Sequence, residues 1–517
     1  MTLTNLLTEQ AAASLAHKIV SSEQVRLIEP QAAQAAGCSM FELMQRAGQA
    51  AFEQLKAHWP DAQKILVVAG NGNNAGDGYV LATLAKQQGF DVQVGCQEPK
   101  RVLTGDAQQA QLNWQKAGGK TQALAKLNFA ACDLLVDALL GTGLTGQVKA
   151  SFLEIIQQVN QAQRPVLSID LPSGMHADTG QALPVCIKAD VTITFVATKP
   201  GLVTGIGKEY SGKLVYADLA IGKAFFALAS QASQLVGWSM LQALQAKPIH
   251  ANKGSFGKLL CIGGNQGMAG AIRLSAESAL RTGVGLVKVF CHQDSHSLVS
   301  AGRPEIMLTD KNLKEAFDWC SCIIIGPGLG QDDWAHQQLS RLMSYLQQQP
   351  KPVVFDADGL NLLAAMPDDL LALETLSKLP AVIFTPHPGE ASRLLDCDIA
   401  TIESNRYQAS QKIAQQYHGV CVLKGAGTIM QTGSSEQHVK SWVCTGGNPG
   451  MATAGMGDLL TGITGAFLAQ GMTAQQAAIY AVCAHAEAGD RVATQYGQRG
   501  MIASDLLQPL RAIVNGL

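Results

Sequence analysis

The chain has 517 residues, of which 47% are hydrophobic and 15% charged, and its formal net charge is -2. That length exceeds one ordinary core and implies two or three domains, while the near-neutral balance gives no electrostatic reason to expect nucleic acid or a membrane as partner. The 12 cysteines show neither a C-x-x-C pair nor zinc-like spacing, so they read as small core residues in a reducing, cytoplasmic setting. The opening "MTLTNLLTEQAAASLAHKIV" has no basic region leading into an apolar block, and no secretory signal is expected.

In chain order, Ser39 and Glu42 stand at capping-box spacing and predict a helix start. Apolar, β-branched runs follow at 64–70, 91–96, 133–139, 165–171, 190–195 and 213–219, with helical stretches between most of them. This alternation predicts a parallel sheet covered on both faces. Nearly every run ends in Gly or Asp, at the carboxyl edge where such sheets bind ligands.

The first run enters "AGNGNNAGDG", whose glycines at 70, 72 and 76 are spaced too widely for G-x-G-x-x-G. The loop holds Asn73, Asn74 and Asp77 instead. Asp137, the glycine-rich stretch 141–147, Asp170 and Ser173 fall at later run ends. Carboxamide, carboxylate and hydroxyl oxygens converging on one edge suit a hard cation, and a glycine-rich loop presents N–H groups to a phosphate. Lys199, in "KPG", reads equally well as a solvated lysine in a turn.

The rhythm lapses over 230–247, and a domain boundary is expected near residue 240. It restarts at 257–264, 285–291, 320–330, 352–361, 381–390 and 419–428, so the second half is α/β as well. "TGGNPGMATAGMGDLLTGITGAFLAQ" (445–470) leads glycines straight into an apolar helix. Convergent N–H groups and the helix's partial positive charge would gather phosphate there, and Asp458 beside a phosphate suits a base. The uncharged stretch 459–486 is broken by glycines, and Thr473 with Gln476 matches a capping box. It predicts two buried helices rather than a membrane span. "DADG" (356–359) lacks the remaining ligands of a calcium loop and reads as a strand closure. His387, between two prolines, reads from its residues alone as structural.

In the first half, "NNAGDG", "DALLGTGLTG", "SIDLPSG" and "TFVATKPG", in that order, resemble the epimerase domain of the NAD(P)H-hydrate repair enzymes. The resemblance implies a Rossmann-like three-layer domain over 15–235 that inverts C6 of hydrated NADH or NADPH. It implies that the hydrate is held by Asn73, Asn74, Ala75, Gly76, Asp77, Gly141, Thr142, Gly143, Leu144, Thr145, Gly146, Gln147 and Asp170. It further implies potassium on Asn74, Asp137 and Ser173. Asp170 is the expected proton carrier and Lys199 the alternative.

In the second half, "NKGSFGKLLCIGG", "GPGLG", "DADGLN", "TPHPGE", "LKGAGT", "GNPGMATAGMGD" and "HAEAGD" resemble the dehydratase domain of the same enzymes. This implies a ribokinase-like α/β domain over 245–517. ADP would be contacted by Lys424, Gly425, Ala426, Gly427, Thr428 and Gly457, and the hydrate by Ala271, Gly328, His387 and Asp458, with Asp458 as base. Both domains together resemble the bacterial bifunctional enzymes, which interconvert the R and S hydrates and dehydrate the S form, turning ADP into AMP and phosphate. The expected cofactors are K+ for the first domain and Mg2+ with ADP for the second, and a homo-oligomer is expected. Ala454 stands where that family usually has glycine, which strains the backbone if its φ is positive. Two other readings stay open: a ribokinase-like sugar or vitamin kinase fused to an unrelated Rossmann domain, and a non-catalytic nucleotide sensor. A sensor has no need of Asp170 and Asp458.

Overall fold

The side chain of Ser39 and that of Glu42 each accept the other's backbone N–H, completing the capping box that starts the helix Met40–His58. The computed structural model describes residue 10 and residues 14–144, 146–229, 233–309, 313–366, 370–433 and 441–517, without the side chains of 370–372. The chain divides into one unit over Ser14–Ser233 and another over Gln234–Leu517.

The first unit is built on strands β1 (Lys64–Ala69), β2 (Asp91–Cys96), β3 (Thr121–Ala123), β4 (Leu134–Ala138), β5 (Val166–Ile169), β6 (Val191–Phe195) and β7 (Lys213–Ala217). All pair in parallel, in the order β3-β2-β1-β4-β5-β6-β7. Alternate residues of β1 serve opposite cores: Ile65 and Val67 join one, Leu66 and Val68 the other. Burial on both faces is why these strands read as unbroken apolar runs. From β1 the chain builds outward to β2 and β3, whereas from β4 it builds the other way. The loops after β1 and β4 therefore diverge and leave a crevice at the carboxyl edge between them.

The second unit's sheet contains β8 (Ser233–Val236), β9 (Lys258–Ile262), β10 (Leu286–Phe290), β11 (Ile306–Leu308), β12 (Cys322–Ile325), β13 (Val353–Phe355), β14 (Val382–Phe384), β15 (Val420–Leu423), β16 (Thr428–Thr432) and β17 (Ser441–Cys444). Its order is β8-β17-β16-β15-β14-β13-β12-β9-β10-β11. Strands β9 to β15 pair in parallel, and β16 pairs antiparallel with both β15 and β17. The uncharged stretch folds as helices Met456–Ala469 and Ala474–Tyr496, the second started by the Thr473–Gln476 capping box. Among the described residues, no helix is long and apolar enough to cross a membrane.

The helix Met456–Ala469 crosses Ala269–Thr282 at Gly462. A Cβ there would lie 2.0 Å from both Ser275 O and Ser278 Oγ. At the same crossing Ser275 Oγ donates to Asp458 O (2.8 Å) and Ser278 Oγ to Leu459 O (3.0 Å). Gly462→Ala should force the helices apart and cost about 2 kcal/mol or more, read as a lower denaturant midpoint for this unit. An unchanged midpoint would contradict the close crossing.

Candidate active sites

At the switch point of the first sheet, Gly72 precedes the helix Asn73–Gln87 with no side-chain cap. Asn73 is exposed at the rim, Asn74, Ala75 and Gly76 are buried, and Asp77 is half-buried. Asn74 Nδ2 donates to Leu140 O (3.1 Å), but its buried Oδ1 has no hydrogen-bond partner. A Cβ on Gly141 would lie 3.2 Å from Asn74 Cβ, so the loop after β4 closes over this residue. Thr142 and Leu144 are half-buried, while Gly143, Gly146 and Gln147 are exposed along the same loop. Thr145 lies outside the described residues.

Asp137 is buried within β4 rather than beyond it. Its carboxylate accepts from Ser168 Oγ (2.8 Å), Ser173 N (2.8 Å), Ser173 Oγ (2.5 Å) and Leu139 N (3.3 Å). Burial pushes its pKa up, and the hydrogen bonds from Ser173 and Ser168 pull against that. Leu140 ties the group together, because its N–H donates to Ser173 Oγ (2.8 Å) and its carbonyl accepts from Asn74. An unpartnered carboxamide oxygen thus stands with a carboxylate, a hydroxyl and a carbonyl, a donor set that suits a hard cation.

Asp170 follows β5 with φ +67°. Leu171 N donates to Ile169 O (2.8 Å) across it, closing a strained γ-turn. The adjacent strand ends alike: Val196 has φ +64° and Ala197 N donates to Phe195 O (2.6 Å). Positive φ at non-glycine residues costs on the order of 1–3 kcal/mol each and is retained where geometry must be fixed. Here it aims Asp170 Oδ1 at Lys199 Nζ, 2.5 Å away. Lys199 is 1% exposed, which corrects its reading as a solvated turn residue. Its ammonium also donates to Phe195 O (2.9 Å) and Thr194 Oγ1 (3.1 Å), so all three hydrogens are committed.

Burial raises the pKa of Asp77 well above the carboxylate range, and Asp170 and Glu29 reinforce the shift. Glu29, in the helix Ser22–Ala35, escaped the sequence analysis. Its helical phase could have revealed it, because it shares the inward stripe of Val25, Ala32 and Ala33.

In the second unit, Asp356 follows β13 and is 1% exposed. Its Oδ1 meets Lys424 Nζ (2.8 Å) and Thr385 Oγ1 (2.8 Å), and its Oδ2 accepts from Thr461 Oγ1 (2.6 Å). The reading of "DADG" as a mere strand closure is therefore corrected: its first carboxylate joins β13, β14, β15 and the helix Met456–Ala469. Lys424, after β15, also lies 3.5 Å from Glu390 Oε2. Burial opposes its charge, but Asp356 and Glu390 prevail and raise its pKa. A Cβ on Gly457 would lie 3.3 Å from Lys424 Nζ, so the ammonium sits under the start of that helix.

His387 is exposed and caps the helix Pro388–Leu394, its Nδ1 accepting from Gly389 N (2.9 Å) and Glu390 N (3.2 Å). Its Nε2 lies 3.3 Å from Glu390 Oε1, and burial followed by Lys424 and Arg393 lowers its pKa. Ala271 and Gly328 meet at the mouth, since a Cβ on Gly328 would fall 3.2 Å from that of Ala271. Gly425, Ala426 and Gly427 form the turn into β16, where Thr428 Oγ1 donates to Gly425 O (3.0 Å).

Asp458 lies half-buried in the first turn of its helix, and its pKa is raised to about 6 by burial and by Asp356, against the pull of Lys424. The left-handed residue of this loop is Gly455 (φ +88°); Ala454 is not among the positive-φ residues, so the feared strain is absent there. The "HAEAGD" motif lies beneath the glycine run, with Asp490 accepting from Gly447 N (2.8 Å) and Asn448 Nδ2 (2.9 Å). His485 on the same helix has a buried Nε2 without a partner, and burial lowers its pKa to about 4.

A family profile described as NAD(P)H-hydrate dehydratase matches residues 259–511, and one described as YjeF-related protein N-terminus matches 40–201. The chain is 40% identical over 508 residues to the bifunctional NAD(P)H-hydrate repair enzyme Nnr of Escherichia coli K12, covering 97% of this chain and 95% of that protein. It is likewise 40% identical to the enzyme of that name from Coxiella burnetii, over 96% of this chain and 99% of the other. Among solved structures, an ADP/ATP-dependent NAD(P)H-hydrate dehydratase from Bacillus subtilis, co-crystallised with ATP and Mg2+, is 25% identical. It covers 53% of this chain and 94% of its own, with a TM-score of 0.45. Similarity to bifunctional enzymes along both halves, and not to one half alone, leads to one conclusion: the chain belongs to the bifunctional NAD(P)H-hydrate repair enzymes.

Proposed function

We propose that the two halves perform successive steps in the repair of hydrated NADH and NADPH. The first epimerises the R and S hydrates at C6, and the second dehydrates the S form while ADP becomes AMP and phosphate. The observation that carries this reading is that each half, at the carboxyl edge of its own sheet, holds a lysine–aspartate pair beside a glycine loop, in a chain similar over 97% of its length to a bifunctional repair enzyme.

In the first half, the lone pair of the ring nitrogen expels the C6 hydroxyl as water, and water returns on the other face. Asp170 moves a proton; the geometry favours it over Lys199, whose hydrogens are all committed. Residues Asn73–Asp77 and 141–147 hold the hydrate. Asn74 Oδ1, Asp137 and Ser173 fit potassium, because the carboxamide oxygen is buried and unpartnered beside them. A bound potassium ion supplies a fixed positive charge near the loop that takes the substrate. Asn74→Ala should weaken potassium activation of epimerisation by about tenfold or more and leave dehydration unchanged, as followed in a salt titration. An unaltered potassium dependence would contradict the assignment.

In the second half, Asp458 takes the proton of the C6 hydroxyl as that oxygen attacks the β-phosphoryl group of ADP. AMP departs, phosphate is then expelled by the ring nitrogen, and loss of a C5 proton restores the dihydronicotinamide. Lys424 neutralises Asp356 and Glu390, so Asp458 works in a field that is not overwhelmingly negative. Residues 424–428 and Gly457 line the nucleotide, and Ala271, Gly328 and His387 the hydrate. No three His, Cys, Asp or Glu side chains gather as a metal cluster among the described residues, and Asp356 and Glu390 are already paired. Magnesium therefore enters on the nucleotide, held by phosphates and water rather than by a protein cage. With (S)-NADPH hydrate and ADP, the chain should yield NADPH and AMP in equal amounts. A stable phosphorylated product in place of NADPH would point to a kinase.

A further inference from the structure

The helix Ser22–Ala35 buries Val25, Ala32 and Ala33, and Ile28 packs partly against the same core. Glu29 falls in the middle of this stripe, at the i+4 position from Val25, and is half-buried. A carboxyl group in such a position costs stability unless it is partnered. Among the described residues, Glu29 has neither a hydrogen bond nor an ion pair. Its helix is tied to the loop that carries Lys199, because Val20 N donates to Thr198 O (2.9 Å). The helix start is fixed as well, with Ser22 N and Ser22 Oγ donating to the Asp178 carboxylate at 2.7 and 2.8 Å.

The charges that Glu29 feels are Lys199, after β6, and Asp170, after β5; Asp77, in the helix Asn73–Gln87, feels Glu29 in turn. Three carboxyl groups therefore share one ammonium, which is already bonded to Asp170. Burial foremost, with Lys199 opposing and Asp170 reinforcing, brings Glu29 to a pKa of about 7. A group that titrates there holds its proton over half the working range and can both give and regain it.

Epimerisation needs the hydroxyl to leave one face of C6 and water to arrive at the other. A single side chain fixed by an ion pair serves one face. We infer that Glu29 is a second catalytic residue of the epimerase site, protonating the departing C6 hydroxyl while Asp170 receives a proton from the water that returns. The C–O bond breaks as the ring-nitrogen lone pair forms C=N+, and the Glu29 proton turns the hydroxyl into water. A water then adds to the opposite face, the C=N+ electrons return to nitrogen, and the released proton passes to Asp170. Reversal interchanges the roles, and no other reagent is consumed.

This inference rests on the epimerase reading of the first half. The test compares the full chain with its Glu29→Gln and Glu29→Asp variants, following interconversion of separated R and S hydrates without ADP, so that the dehydratase is idle. Glu29→Gln should lower kcat by about 10²–10⁴-fold with little change in KM, and Glu29→Asp should recover part of the loss. Because Glu29 acts as an acid, wild-type epimerisation should decline as the pH rises above about 7; the Gln variant should lack that limb. The proposal is overturned if Glu29→Gln keeps a near-wild-type rate, or if its reduced rate retains the alkaline limb. Failure of the wild type to interconvert the epimers would overturn the epimerase reading itself.

Discussion

Asp458→Asn is expected to bind ADP and the hydrate normally while losing dehydration by about 10³-fold, the worth of a positioned general base. The substitution keeps the shape of the side chain and removes its ability to take a proton. No neighbour replaces it: Asp356 is saturated by Lys424, Thr385 and Thr461, and Glu390 is held by His387 and Lys424. The pH profile provides a second readout. A base must be deprotonated, and burial with Asp356 raises the pKa of Asp458 to about 6. Wild-type dehydration should therefore fall about tenfold per pH unit below that value, and residual activity of the variant should lack the limb.

Stability should move the opposite way. A carboxyl group whose pKa is raised on folding subtracts stability as the pH climbs from its unfolded pKa of about 4 to its folded pKa of about 6, and the penalty persists above. Asp458→Asn removes a penalty on the order of 1–2 kcal/mol after allowing for partial exposure. Its thermal midpoint should exceed that of the wild type at pH 7 to 8, and the gap should close below about pH 4. Near-wild-type dehydration by this variant would end the proposed role.

Asp170→Asn should abolish epimerisation, by about 10²-fold or more, and spare dehydration of the pure S hydrate. Here function and stability fall together, because the substitution leaves Lys199 buried with its countercharge gone, and breaking such a pair costs about 3–5 kcal/mol. A second variant separates the two effects. Asp170→Asn combined with Lys199→Met removes both charges and should regain much of the lost stability while remaining unable to epimerise. Loss of both activities in a folded Asp170→Asn protein would contradict the division of labour between the halves.

The parallel strands were legible because burial on both faces turns them into apolar runs, as in "KILVVA" and "CIII". The short β3, "TQA", carries no such signal, and the antiparallel strands β16 and β17 bury Gln431 and Ser441 within their runs. Asp170 and Asp458 drew attention because each stands beside a glycine or an apolar run where a sheet edge was expected. Lys199 was harder to read. Its burial depends on Val196 adopting a positive φ, and a β-branched residue gives no warning of that. The part played by Asp356 was hidden by distance, since Lys424 lies 68 positions along the chain. Glu29 needed only its helical phase, and His485 would have needed knowledge of the loop above it.

A mixture of both NADPH-hydrate epimers, incubated with this chain and followed at the absorbance band of the reduced nicotinamide, tests the two-site claim most directly. With ADP the absorbance should return to that of an equal amount of NADPH, and without ADP it should stay flat. Recovery that halts at the share of the S epimer, or proceeds with no nucleotide present, would contradict it.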